Sequence, residues 1–179
     1  MRRIVIADAG PLIALASIGK LELLLQLFGT VTVTTQIAQE LLEGGPFPDI
    51  AVLQAALTQP WLPTVDLQSV LHNDWLDECK GLMNLYQIDL GEASAMVLAQ
   101  HIQAKEDISA LLIMDDFRGR NAVQHAGMAL IGTTGLLLLA KKARVLNSVK
   151  PPLTALRKNS YFLSDRLIEA ALRQAGELA

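Results

Sequence analysis

Residues 3–11 read RIVIADAGP and residues 110–116 read ALLIMDD. Each is a short aliphatic run that stops on an aspartate. Runs of this length, bounded by polar and turn residues, are buried strands of a parallel sheet. A helix follows each. Pro11 stands in the first turn, where its missing N–H leaves no partner unsatisfied, and residues 117–125 continue in helical register. Strands alternating with helices give an α/β fold, a parallel sheet covered by helices on both faces. Functional groups of such sheets collect at the carboxyl ends of the strands. Asp8 and the Asp115–Asp116 pair fall at that edge.

The remaining elements extend this frame. Residues 11–18 form the first helix, with Gly19 as its stop, and residues 21–28 a second that ends at Gly29. Residues 31–34 (VTVT) are a strand by residue type. Thr35 is expected to cap a helix over 36–43, ended by Gly44, Gly45 and Pro46. A helix runs from Asp49 to about Leu57. Residues 62–65 suit only an edge strand, because Pro60 and Pro63 exclude a central one. Residues 67–86 are broadly helical and residues 92–103 strongly so. A last short strand at 129–131 precedes helices over 135–143, 153–156 and 165–175. No repeat or linker interrupts the 179 residues, so a single domain over 1–179 is expected, with a C-terminal helical extension from about 150.

Half of the chain is apolar, enough to bury a core without staples. Only 18% is charged, below the usual quarter, which points to extra apolar surface and a homodimer contact. The net charge of −3 is not the footprint of a non-specific nucleic-acid binder, although a basic rim can coexist with an acidic pit. Cys79 is the only cysteine, so no intramolecular disulfide forms and a reducing compartment is the simplest reading. The N-terminal apolar run is too short for a signal peptide, and no run approaches the ~20 residues of a membrane span. A soluble cytoplasmic protein without membrane contact is expected.

Glu40 lies in the helix after the second strand, and Glu92 opens the long helix before the third. A parallel sheet can bring both to the edge that holds Asp8, Asp115 and Asp116. Carboxylates within a few ångströms repel, and an empty site forces one to take a proton. A divalent cation removes that conflict, and an oxygen-only donor set without His or Cys suits a hard ion, Mg²⁺ or Mn²⁺. Each acid also has an ordinary explanation. Asp8 can cap the Pro11 helix, Glu40 can be a solvated helix residue, Glu92 suits a helix N-terminus, and Asp115 and Asp116 can be a cap pair. Those explanations do not account for acids following apolar strands twice.

The same residues carry a family resemblance. IVIADAGPLIALASIGKLELL resembles the first motif of the PIN-domain nucleases, with Asp8 as its acid. VTVTTQIAQELLEGG is similar to the second, with Glu40, and DLGEASAMVLAQ to the third, with Glu92. LLIMDDFRGRNAVQHAGMALIGTTGLLLLAKKARV resembles the fourth, with Asp115 and Asp116. The GR pair, the GTTG and the AKK resemble a prokaryotic subgroup allied to the VapC-like toxins. The likeness spans roughly Ile4 to Lys158, with the motifs in family order.

It implies a three-layer α/β/α sandwich, one or two Mg²⁺ or Mn²⁺ ions, and cleavage of RNA, commonly by a dimeric toxin paired with an antitoxin protein. By that likeness Asp8, Glu40, Glu92 and one or both of Asp115 and Asp116 are the catalytic metal ligands. Where the family has one acid this chain has two; adjacent residues leaving a strand point to opposite sides, so one can ligate while the other caps. Two other readings stay open: a catalytically silent PIN-fold binding or assembly module, and a DNA-directed metal-dependent nuclease.

Arg118 and Arg120 follow the acid pair, and either can hold a substrate phosphate. A salt bridge to a neighbouring carboxylate is the plainer expectation for Arg120. The Thr133 hydroxyl can touch a phosphate or cap the next helix. Lys141, Lys142, Arg144, Lys150, Arg157 and Lys158 make a basic stretch that is either an RNA-guiding rim or a solvated face. Trp61 and Trp75 read as packing residues, Cys79 likewise. His72, His101 and His125 lack metal-ligand spacing. No phosphate-binding loop or GxGxxG is present.

Overall fold

The computed structural model describes residues 2–43, 49–71, 74–105 and 107–178. The expected stop at Gly44, Gly45 and Pro46 lies outside the described residues, as does His72. In chain order the first elements are β1 (Arg2–Ala7), α1 (Ala9–Ser17), α2 (Leu23–Phe28), β2 (Val33–Thr34), α3 (Thr35–Glu43), α4 (Ile50–Leu57) and β3 (Thr64–Val65). There follow α5 (Leu67–Val70), α6 (Trp75–Tyr86), α7 (Leu90–Gln103), β4 (Ile108–Ile113), α8 (Phe117–His125) and β5 (Ala129–Ile131). The chain closes with α9 (Thr133–Lys142), α10 (Lys150–Lys158) and α11 (Asp165–Gln174).

β1, β4 and β5 pair in parallel, with Ala7 opposite Ile113 and Ile113 opposite Ile131. β2 and β3 form a second parallel pair. A parallel bridge between Ile6 and Thr32 joins the two, with the Ala7 N–H donating to the Thr32 carbonyl at 2.9 Å and the Thr32 N–H to that of Val5 at 2.8 Å. The strands therefore read β3-β2-β1-β4-β5. β3 is an edge strand, as its flanking prolines require. Helices cover this layer in an α/β/α arrangement. Among them α7 is buried without interruption from Gly91 to Ala99 and packs on β4, β1 and β2. A helix enclosed on all sides must be apolar all round. The buried Glu92 inside it therefore stands out.

Several expectations need correction. β2 is confined to Val33–Thr34 instead of 31–34, and α10 runs over Lys150–Lys158 instead of 153–156. The hydroxyl that meets the first turn of α3 belongs to Thr34, not Thr35: Thr34 Oγ1 accepts from the Ile37 N–H at 3.3 Å. The stretch 67–86 is not one helix, since α5 ends at Val70 and Leu71 is extended. α9 starts at Thr133, two residues before Gly135. Within it Leu136 and Leu137 are fully buried. Among the described residues no helix is long and apolar enough to cross a membrane.

The C-terminus is clasped to the body through Glu177. Its carboxylate accepts from Lys141 Nζ and Ser148 Oγ, each at 2.6 Å, and from the Val149 and Lys150 N–H groups at 2.8 and 3.0 Å. Burial alone would raise this carboxyl; the four donors outweigh it and hold it at about 2. A group depressed in the folded state stabilises the fold above its ordinary titration range, and that contribution is lost as pH falls toward the depressed value. Glu177→Ala is expected to cost about 2 kcal/mol in urea denaturation at neutral pH. The difference from wild type should shrink as the pH is lowered from about 5 toward 2. An unchanged midpoint at neutral pH would remove the clasp from the account of stability.

Candidate active site

Five of the six acids at the carboxyl edge come from the ends of strands or the starts of helices. The Asp8 N–H donates to the Ile113 carbonyl at 2.9 Å, which seats Asp8 beside the end of β4. It occupies the N-cap position of α1, yet its side chain makes no capping hydrogen bond. Capping therefore does not explain it. Only 8% exposed, the carboxyl is pushed up to about 8, first by burial and then by the charges of Glu92, Glu40 and Asp89.

Glu92 is the third residue of α7. Its Oε2 accepts from the Asp89 N–H at 3.1 Å, and Asp89 Oδ1 accepts from the Glu92 N–H at 2.8 Å, a reciprocal capping box. Its Oε1 is buried without a hydrogen-bond partner among the described residues. Burial is the chief reason the carboxyl rises to about 7; the Asp89 N–H opposes it, while the charges of Asp89, Asp116 and Glu40 add to it. Glu40, on α3, stays exposed, but partial desolvation and then the Asp89 charge raise it as well. Gly91 leaves the room for this approach, because a Cβ there would meet Glu40 Oε2 at 3.0 Å. The Thr34 and Ser94 hydroxyls, 2.6 Å apart, tie the end of β2 to the first turns of α7.

The doubled aspartate divides its work. Asp116 is the N-cap of α8: Oδ1 accepts from the Arg118 N–H at 2.7 Å and the Gly119 N–H at 3.2 Å. Asp115 turns toward α9. Its Oδ1 accepts from the Thr133 N–H at 2.8 Å, and its Oδ2 from the Thr133 and Tyr161 hydroxyls, each at 2.5 Å. Asp116 still acts on Glu92 electrostatically, and Tyr161 feels both Asp115 and Asp8. One edge thus collects Asp8, Glu40, Asp89, Glu92, Asp115 and Asp116.

Other expected contacts come out differently. Arg120 does not pair with a carboxylate; its Nη1 donates to the Met114 carbonyl at 3.0 Å. Arg118 is exposed and donates to the Gln87 carbonyl at 3.3 Å. Thr133 is fully buried with its hydroxyl committed to Asp115, so it orients that carboxylate instead of offering itself to a phosphate. Lys141 serves the Glu177 clasp and Arg157 pairs with Asp165 at 2.8 Å, so neither stands free to guide RNA. Trp75 and Cys79 are buried, and burial raises the Cys79 thiol to about 11, which keeps it unreactive. His101 pairs with Glu78, and His125 meets the Tyr86 ring edge-on.

Two participants were not foreseen. Asp89 raises all three of the other acids nearby, and its signal was the Asp-x-x-Glu spacing of a capping box. Tyr161 reaches Asp115 from 46 residues away, with no local sign. Tyr161→Phe removes one of three donors to Asp115. It is expected to weaken Mn²⁺ binding about tenfold while the melting temperature stays near wild type. Calorimetric Mn²⁺ titration checks this; an unchanged affinity would make Tyr161 a packing residue only.

Among the described residues, no three His, Cys, Asp or Glu side chains are grouped so as to hold a metal ion. The donors nevertheless fit a hard cation. They are all carboxylate oxygens, none of Asp8, Glu40, Asp89 and Glu92 has an ion-pair partner among the described residues, and one buried oxygen of Glu92 is unsatisfied. A carboxylate left so in a dry environment is costly until a proton or a cation meets it.

The structure is thus a parallel α/β/α sheet with carboxylates that lack ion-pair partners among the described residues gathered at its carboxyl edge. A family model for the PIN domain matches residues 4–177, and the chain belongs to the PIN-domain family. PIN domains are generally metal-dependent nucleases. No curated protein matches the chain.

Proposed function

We propose that the protein is a Mg²⁺- or Mn²⁺-dependent endoribonuclease, the VapC-like toxin of a toxin–antitoxin pair, working as a cytoplasmic homodimer. The observation that supports the reaction best is the buried Glu92 Oε1, without a hydrogen-bond partner among the described residues, beside a buried Asp8, without a cationic partner among them. Asp8, Glu40, Glu92 and the Asp115–Asp116 pair would hold the cation. Once bound, the ion supplies a nucleophilic water at neutral pH and offsets charge growing on the phosphodiester. Thr133 and Tyr161 fix the orientation of Asp115. Arg118 and Arg120, each with one guanidinium nitrogen bonded to a backbone carbonyl, would offer their remaining N–H groups to phosphate oxygens of the strand.

The test is cleavage of single-stranded RNA and of DNA by purified protein, freed of any antitoxin, with Mg²⁺ or Mn²⁺. Glu92→Gln should lose more than about a hundredfold in rate, since outer contacts alone are worth 10- to 100-fold. Equal trace activity from wild type and Glu92→Gln sinks the enzyme reading. Faster cutting of DNA than of RNA sinks the choice of substrate. A second small protein that copurifies and suppresses cleavage is expected of a toxin.

A further inference from the structure

A cavity of about 460 Å³ opens beside Asp115. Its lining combines polar groups, Asp115, Arg120 and Thr134, with apolar ones, Leu130, Leu138 and Leu167. Phe162 stands on its rim and is 89% exposed, more than any other large hydrophobic residue described. Its neighbour in sequence is Tyr161, whose hydroxyl is bonded to Asp115. An aromatic ring held in water next to a cavity is costly unless something flat covers it. The volume is ample for a nucleobase, and Asp115 in the lining joins the cavity to the carboxylate edge where the scissile phosphate would sit.

We infer that this cavity is a nucleobase subsite: the base next to the cleaved bond enters between Phe162 and Leu138, while Arg120 faces its phosphate. Single-stranded nucleic acids are held in this way, by aromatic faces for bases and cations for backbone. The α9–α11 side of the domain then sets which nucleotide is accepted, through the shape of an apolar slot closed by the Tyr161–Leu163 segment. This inference rests on RNA being the substrate.

The experiment separates binding from cleavage. A fluorescent single-stranded RNA and its fully abasic counterpart are titrated with Ca²⁺ present to hold back cutting; cleavage is then measured with Mn²⁺. Wild type should bind the base-bearing strand about tenfold more tightly than the abasic one. Phe162→Ala, at an exposed position that does not endanger folding, and Leu138→Trp, which fills the cavity, should abolish that difference and leave abasic binding unchanged. If both variants fold and bind base-bearing RNA like wild type, the subsite is overturned. If binding shows the expected pattern but Mn²⁺ yields no cleavage, the ribonuclease reading fails and the base site stands.

Discussion

Asp8→Asn is expected to lower phosphodiester cleavage by more than about a hundredfold and, at the same time, to raise the stability of the protein in EDTA at alkaline pH. The two effects share one cause. The Asp8 carboxyl sits at about 8 instead of its ordinary 3.8 because burial and the charges of Glu92, Glu40 and Asp89 oppose its ionisation. A group whose folded value lies above its unfolded value holds its proton more tightly in the native state. Its stabilising contribution is complete below the unfolded value and is lost as pH rises through the folded one.

For Asp8 that window runs from about pH 4 to above pH 8. Glu92, raised to about 7, loses its share over the same range. Metal-free wild type should therefore melt lower at about pH 9 than at pH 5, by several kcal/mol at most, or on the order of 5–10 °C for a chain of this size. Asparagine cannot ionise, so the variant should show a flatter profile and a higher melting temperature at the alkaline end. Mn²⁺ should restore the wild type and help the variant much less. Parallel pH profiles for the two proteins in EDTA would show that Asp8 is not under electrostatic strain.

How far the sequence reveals this site depends on the range of each interaction. β1 and β4 were legible because a buried parallel strand is a continuous apolar run, and the aspartates were legible because they end those runs. Glu92 could be placed because its position in a first turn is a local matter. The division between Asp115 and Asp116 was not legible. It is decided by which carboxylate meets the Arg118 and Gly119 N–H groups and which meets Thr133 and Tyr161, and Tyr161 arrives from a segment with no motif. Arg120 was expected to find a carboxylate and instead donates to a backbone carbonyl at the end of β4, since chain folding places an acceptor there that residue type cannot announce. The one-residue error between Thr34 and Thr35 is of the same kind: both can cap, and backbone geometry chooses.

Gly119→Ala carries the second large effect, and its sign is decided by competing magnitudes. Within a helix the change from glycine to alanine normally adds about 1 kcal/mol of stability. Gly81, exposed on α6 with nothing within 4 Å of an added Cβ, should show that gain. Gly119, in the first turn of α8, has no such space: its Cβ would stand 2.4 Å from both Glu92 Oε1 and Met114 Sδ. Met114 is fully buried and Glu92 is only 4% exposed, so neither side chain can swing into solvent. Overpacking of this kind costs about 1–3 kcal/mol, which outweighs the propensity gain.

The side chain most easily displaced is Glu92, and the atom that must move is its unsatisfied oxygen. A shift of that oxygen by about 1 Å should weaken Mn²⁺ binding and lower cleavage by ten- to a hundredfold. Urea denaturation and Mn²⁺ titration of Gly119→Ala beside Gly81→Ala make the comparison direct. If the two variants gain the same stability and Gly119→Ala binds Mn²⁺ as tightly as wild type, then α8 does not lie against Glu92, and the carboxylate edge is looser than these contacts require.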